Sequence, residues 1–194
     1  MQSDEIINIF KQDSALLEGH FILSSGLHTS GYLQCALVLQ HPEKAAQLGS
    51  ALASLVKKLA PTLILSPALG GLIIGHEVAR ACGRRAMFAE RKNGVLTLRR
   101  GFTIEKDERI LVVEDVVTTG GSTRETIAVA KGYGAHVVGA AAVINRGDTK
   151  NSFDVPFEFL ASVAWPTYNP ESCPLCEEGL PLVKPGSRDI APTG

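Results

Sequence analysis

Apolar residues along this chain fall into two kinds of run. Short continuous ones, Leu63–Ile64–Leu65, Ile110–Leu111–Val112–Val113 and Val137 to Ile144, read as strands buried on both faces, since a half-exposed strand would alternate. The stretch Arg84 to Ala89 leads into another strand, and Phe157, Phe159, Leu160 and Val163 suggest a last one. Between them apolar positions recur at helix spacing. Asp4 is placed to cap a first helix whose apolar face is Ile6, Ile9, Phe10, Leu16 and Leu17. Pro42 opens a second, with Leu48, Leu52, Leu55, Val56 and Leu59 on one face. A third runs from about Leu72 to Cys82, and a fourth begins after Ser122 with Thr126, Ile127, Val129, Ala130 and Tyr133. Alternating strands and helices predict an α/β fold with a mainly parallel sheet flanked by helices on both faces.

Two further stretches read as hairpins. Residues Gly19 to Gln34 alternate around a Ser24-Ser25-Gly26 turn. Asn93-Gly94 is a strong two-residue turn signal, flanked by Arg91 and Lys92 on one side and Arg99 and Arg100 on the other.

The chemistry concentrates where the Ile110 strand ends. Glu114 and Asp115 follow it at once, then Val116, Val117, Thr118, Thr119, Gly120, Gly121 and Ser122, and then a helix. A helix N-terminus offers unpaired N–H groups and partial positive charge to a phosphate. Glycines let the backbone come close, and hydroxyls add donors. Two carboxylates beside them can accept from two vicinal hydroxyls, as on a ribose. Together they describe a sugar-phosphate site. It is not a Walker A loop, because no Lys follows the glycines, and no G-x-G-x-x-G is present. Ser66 to Gly71 makes a second strand–loop–helix unit, with Gly70 and Gly71 suited to an anion or to close packing. Arg146 stands at the carboxyl end of the Val137 strand, ahead of Gly147 and Asp148, where open α/β sheets bind ligands. A guanidinium there can grip a carboxylate at two points or form a surface ion pair.

Composition narrows the class. The chain has 194 residues, 45% hydrophobic and 20% charged, which suits one soluble globular domain. A formal net charge of -1 gives no electrostatic case for nucleic acid or acidic membranes. No apolar run reaches membrane-spanning length, and the opening Met1 to Glu5 is acidic, so a cytoplasmic protein is expected. The four cysteines do not form a secreted disulfide framework. Cys35 and Cys82 look like core residues. Cys173-Pro174-Leu175-Cys176 supplies two metal ligands where a structural zinc needs four, so a reduced structural pair is expected ahead of a metal shared between two subunits or a redox pair.

The run from Ile110 to Ser122 resembles the phosphoribosyl pyrophosphate (PRPP) motif of type I phosphoribosyltransferases: apolar strand, two acids, two apolar residues, Thr, a small residue, Gly, a small residue, Ser or Thr. The stretch Gly19, Phe21, Leu23, Ser25, Gly26 resembles the N-terminal hood of the orotate phosphoribosyltransferases. The resemblance extends to about residue 165. It implies a hood over residues 1–40, a core over 60–165 and a C-terminal tail over 166–194. It implies Mg²⁺-dependent transfer of the phosphoribosyl group from PRPP to orotate, in pyrimidine nucleotide synthesis, by a homodimer whose flap reaches the partner's site. By the same resemblance, Glu114 and Asp115 hold the ribose, the backbone N–H groups from Thr118 to Ser122 hold the 5′-phosphate, and Val116 and Val117 belong to the same PRPP-binding run. Gly70 and Gly71 face pyrophosphate, while Thr118, Arg146 and Ser25 face orotate. Asp115 counts as catalytic with the flap cations Lys92, Arg91 and Arg100, in that order. Mg²⁺ is held mainly by PRPP, with no direct protein ligand. The chain departs from the family pattern in three places: Ser24 replaces a Lys, no Lys stands near Gly70, and the flap lacks a further Lys and a His. The alternatives are transfer to another base and a non-catalytic PRPP sensor.

Overall fold

The computed structural model describes residues 1–23, 25–147 and 153–184. Ser24 and Asp148 lie outside the described residues. Six strands form the main sheet: β3 (Leu63–Pro67), β4 (Arg85–Lys92), β5 (Val95–Leu98), β6 (Arg109–Val117), β7 (His136–Asn145) and β8 (Phe157–Ser162). Their spatial order is β5-β4-β3-β6-β7-β8, and every neighbouring pair is parallel except the β4–β5 hairpin. Asn93 and Gly94 at its turn both have positive φ, 52° and 84°, as a type I′ turn requires.

The continuous apolar runs are explained by what covers the sheet. Ile64, Leu111, Val113, Ala141 and Val143 point to one face, which is covered by α1 (Ser3–Gln12), α3 (Pro42–Val56) and α4 (Gly71–Cys82). Leu63, Leu65, Ile110, Val112, Ala140 and Ala142 point to the other, with Ile127 and Ala130 of α5 (Gly121–Gly132). Each residue of these central runs is buried whichever way it points, so polar alternation is absent from them. Glycines permit close approach between layers: a Cβ on Gly49 of α3 would lie 2.6 Å from Glu77 Cβ on α4, and one on Gly75 would lie 2.0 Å from Ser66 Oγ.

Chain direction decides where ligands meet the sheet. From β3 the chain crosses through α4 to β4 on one side, and from β6 through α5 to β7 on the other. Adjacent strands whose connections leave in opposite directions create a crevice at their carboxyl ends. Here β3 pairs with β6 only as far as Leu65↔Val112, so Glu114 and Asp115 extend past their former neighbour.

A second sheet forms the hood. β1 (Leu16–Ile22) and β2 (His28–Leu33) are antiparallel, with a short α2 (Ala36–Leu39) leading back to α3. Its outer strands come from the far end of the chain: β9 (Thr167–Tyr168) beside β2, and β10 (Leu182–Val183) beside β1, with α6 (Pro174–Glu177) between them.

Several local expectations shift. Leu16 and Leu17 belong to β1, because α1 ends at Gln12 and Ser14 turns with positive φ. The first turn of α1 is closed by Glu5, whose carboxylate accepts from the Gln2 backbone N–H at 2.8 Å, and not by Asp4. Leu59 lies in a 3-10 turn after α3, and Leu55 is exposed. The strand carrying the two acids runs on to Val117, so the acids sit inside it. β9 and β10, two residues each, are too short to leave a pattern.

Candidate active site

Glu114 and Asp115 mark the centre of the crevice. The Glu114 side chain is buried, and its pKa is pushed up to about 9, first by burial and then by the neighbouring Asp115 charge. The Glu114 carboxyl therefore keeps its proton near neutrality. Asp115 Oδ1 accepts from the Val116 backbone N–H at 2.8 Å, and the Asp115 N–H donates to Glu114 Oε1 at 3.3 Å. The Cys35 thiol is buried beside them; burial first, and then the Asp115 and Glu114 charges, hold it well above its ordinary value, so it stays neutral.

The loop after β3 leans over this pair. A Cβ on Gly70 would fall 2.6 Å from Asp115 Oδ1, and one on Gly71 would fall 2.9 Å from the Val113 carbonyl oxygen. Only glycine at 70 leaves space above the Asp115 carboxylate. Beneath it, Ser66 Oγ is buried without a hydrogen-bond partner among the described residues.

Beyond the acids the chain forms a cradle. A cavity of about 220 Å³ is lined by Arg91, Glu114, residues Val116 through Thr123, and Glu125. Gly120 has φ 74°, in the left-handed region, and as the N-cap of α5 it turns the chain so that the N–H groups of Gly121, Ser122 and Thr123 open the helix. A Cβ there would meet the Phe153 ring at 2.8 Å. Arg124 donates to the Thr119 carbonyl at 2.6 Å and lies over the Phe153 ring, which holds the loop from outside. A larger shallow groove of about 860 Å³ lies between α1 and α3, away from these groups.

The flap cations separate. Arg91 reaches the cradle, donating to both carboxylate oxygens of Glu125 at 3.0 and 3.1 Å and to the Gly94 carbonyl at 2.6 Å. Arg100 pairs with Glu90 at 2.9 Å, and Arg99 stands 3.6 Å from the same carboxylate. Lys92 is exposed on β4 and, like Arg100, is not among the residues lining the cavity.

At the opposite end of the crevice Arg146 follows β7, its N–H donating to the Val117 carbonyl at 2.7 Å. Its guanidinium is half-buried over the Trp165 ring, 5.4 Å from the centroid, and among the described residues its hydrogen-bond contacts are long, 3.5 Å each, to Thr29 Oγ1 and the Gly31 carbonyl of β2. Gly31 is required here, since a Cβ would lie 2.1 Å from the Trp165 ring. Thr118 lines the cavity, close to Gly147. Ser25 sits in the exposed β1–β2 turn, its Oγ accepting from the Leu27 N–H at 3.4 Å.

Residues 36–162 match the phosphoribosyl transferase domain. Over 190 residues the chain is 47% identical to the orotate phosphoribosyltransferase of Caldanaerobacter subterraneus subsp. tengcongensis, covering 98% of this chain and 100% of that one. It is 50% identical over 185 residues to the orotate phosphoribosyltransferase of Thermotoga maritima, covering 95% and 99%. The chain belongs to the orotate phosphoribosyltransferase family.

Solved structures share the fold at lower identity. The orotate phosphoribosyltransferase of Aeropyrum pernix matches with TM-score 0.69 at 24% identity, covering 81% of this chain and 93% of that one. The Mycobacterium tuberculosis H37Rv orotate phosphoribosyltransferase in complex with PRPP matches with TM-score 0.64 at 17% identity, covering 84% and 92%.

Within this orotate phosphoribosyltransferase family member, some site neighbours escape a reading of sequence. Cys35, Ser66, Thr29 and Trp165 reach the crevice from β2, its following turn, β3 and the segment after β8. Ser66 opens the second loop unit, but Cys35, Thr29 and Trp165 stand in no motif, and only the strand order brings the four together.

Proposed function

We propose that this chain transfers the phosphoribosyl group of PRPP to orotate, giving orotidine 5′-monophosphate and pyrophosphate, and so serves pyrimidine nucleotide synthesis. The observation that carries this reading is the acid pair inside β6 running directly into the Gly120 cradle at the start of α5, with Gly70 and Gly71 held over Asp115. A sugar diol at the acids and a phosphate at the N–H cradle fit the two chemistries side by side.

In this reading the cradle backbone from Thr118 to Ser122 grips the 5′-phosphate. Asp115 and Glu114 hold the ribose 2′ and 3′ hydroxyls, and the Asp115 carboxylate favours positive charge on the ring as the bond to pyrophosphate breaks. The Gly70–Gly71 loop leaves room for pyrophosphate. Of the flap cations, Arg91 lines the cradle beside Glu125, while Lys92 and Arg100 lie outside it and would meet the growing charge of a leaving group in the partner subunit's site. Arg146 takes the orotate carboxylate: its present contacts are long, so a two-point carboxylate replaces little. Thr118 lies between the two ligands, and Ser25 closes the hood side.

The reaction takes Mg²⁺ together with PRPP. The donors around Asp115 fit a hard cation, being oxygen groups with space above the carboxylate that a side chain at 70 would fill. When bound, the ion offsets charge on pyrophosphate. The protein acts as a homodimer in the cytoplasm, with the exposed β4–β5 hairpin serving the partner's site. Among the described residues no helix is long and apolar enough to cross a membrane.

A turnover assay with PRPP, Mg²⁺ and orotate, followed by loss of orotate's ultraviolet absorbance, tests the reading, with adenine, hypoxanthine and uracil in parallel. Loss of orotate alone is expected. Turnover of another base, or PRPP binding with no turnover of any base, would overturn it.

A further inference from the structure

The C-terminal tail poses a problem of stability. From Ser162 to Lys184 one described residue is buried, Cys173. Leu180, Leu182 and Val183 are exposed at 41%, 46% and 38%. The tail's strands are two residues long and its helix four. Such pieces bury too little apolar surface to offset the entropy of fixing them. Yet the tail wraps the hood on both edges, with Leu182 beside His20 and Tyr168 beside His28.

At the point of contact four ligand-bearing side chains converge: His20 from β1, His28 from β2, and Cys173 and Cys176 from the tail, with donor atoms all within 4.8 Å of one another. We propose that these four residues of one chain bind a zinc ion that fastens the C-terminal tail to the hood.

The geometry favours a tetrahedral ion. Zinc bonds of about 2.3 Å to sulfur and about 2.0–2.1 Å to nitrogen imply donor–donor edges of roughly 3.3–3.8 Å. The Cys173 Sγ–His20 Nε2, Cys176 Sγ–His20 Nε2 and Cys176 Sγ–His28 Nδ1 edges are 3.6, 3.7 and 3.4 Å. The His20 Nε2–His28 Nδ1 edge is 2.8 Å, so the two rings part by roughly half an ångström to admit the ion. The outer partner of His20 is already in place. Its Nδ1–H donates to the Leu180 carbonyl at 2.9 Å, which turns the Nε2 lone pair towards the cluster. Leu180 is itself a tail residue, so the same bond ties ligand orientation to tail position. His20, His28 and Cys173 are 3%, 4% and 1% exposed, while Cys176 opens to the surface and gives the ion a way in. Two thiolates and two imidazoles in a tetrahedral array suit zinc above the hard cations of phosphate chemistry. The site lies outside the PRPP cradle and needs neither PRPP nor orotate.

The test begins with the metal content of the purified full-length chain, expressed without a histidine tag in zinc-supplemented medium. One zinc per chain is expected, with an X-ray absorption first shell of two sulfurs and two nitrogens. Removing zinc from the wild-type chain with a chelator should speed proteolysis between residues 167 and 183 at least tenfold, and Zn²⁺ but not Mg²⁺ should restore protection. C176S and H28A should each lower bound zinc at least tenfold. A zinc-free protein from supplemented medium, a resting Cys173–Cys176 disulfide, or a shell of sulfur alone would overturn the proposal. Unchanged proteolysis after zinc removal would overturn the fastening role. Each readout is independent of orotate turnover, so the site and the proposed activity can fail separately.

Discussion

The carboxyl edge of the main sheet and the hood are built from different materials, though the crevice needs both. The main sheet rests on apolar burial: Leu63, Leu65, Ile110, Leu111, Val112 and Val113 are all fully buried. Each such side chain contributes about 1.5–3 kcal/mol on removal from water, enough to hold a strained, charged edge in place. That edge carries a buried acid with a raised pKa, a Ser66 hydroxyl with no hydrogen-bond partner among the described residues, and a left-handed Gly120. The hood holds polar groups where a core would hold apolar ones, with His20, His28 and Thr29 buried. Its outer strands are borrowed from a tail that cannot fold on its own apolar content. The cradle end of the crevice, where we propose the phosphate binds, therefore stands on the sheet, and the end proposed for the base, through Arg146, Thr29, Gly31 and Trp165, depends on the hood.

That division can be broken by experiment, starting from the sheet. Asp115→Asn removes the ionised partner of the ribose while keeping the shape. We expect kcat/KM to fall about a thousandfold for either substrate, with PRPP affinity falling too. An effect confined to orotate would erase the distinction between the two ends.

Arg146→Ala should act at the hood end alone. Loss of a two-point, charge-assisted contact of about 1.5–3 kcal/mol raises the KM for orotate about ten- to a hundredfold, with PRPP affinity within about twofold of wild type. Equal losses for both ligands would sink the assignment. Removing zinc from the hood should raise the orotate KM by about threefold, because His28 precedes Thr29 on β2, and should leave PRPP binding unchanged as measured by calorimetry.

The smallest effect concerns stability and not ligands. Glu114 has a folded pKa of about 9 against an ordinary value of 4.5. Between these values the folded chain keeps a proton that the unfolded chain has lost, so stability falls as pH rises through that window. In Glu114→Gln that downward slope of Tm with pH should flatten, while the wild type keeps it. Parallel curves would show that Glu114 is ionised in the folded chain.

How far the sequence reaches differs between the two regions for the same reason. The six-strand core was readable because burial on both faces leaves continuous runs such as Ile110–Val113, and the cradle was readable because its chemistry is contiguous from Glu114 to Ser122. The strand continuing through the acids was not visible, since pairing with β7 up to Asn145 carries it on regardless of local polarity. Arg146 was placed correctly at a strand end, but its Trp165 platform comes from another segment.

By itself the chain's order of residues determined the α/β class, the Asn93-Gly94 hairpin, the acid pair and the glycine and hydroxyl loop that leads into α5. All of these rest on interactions between neighbours in sequence or on burial that repeats with a fixed period. Only the tertiary structure decided that Gly70 leaves space over Asp115, that Cys35 lies beside the same carboxylates, and that Arg91 meets Glu125 while Arg100 meets Glu90. It also decided the fate of Cys173 and Cys176. Two cysteines three positions apart supply half a metal site, and the other half lies 145 or more residues earlier, on two strands that pair across a turn. Such a site is set by the angular demands of four donors around one point, which leave no local mark in a linear sequence.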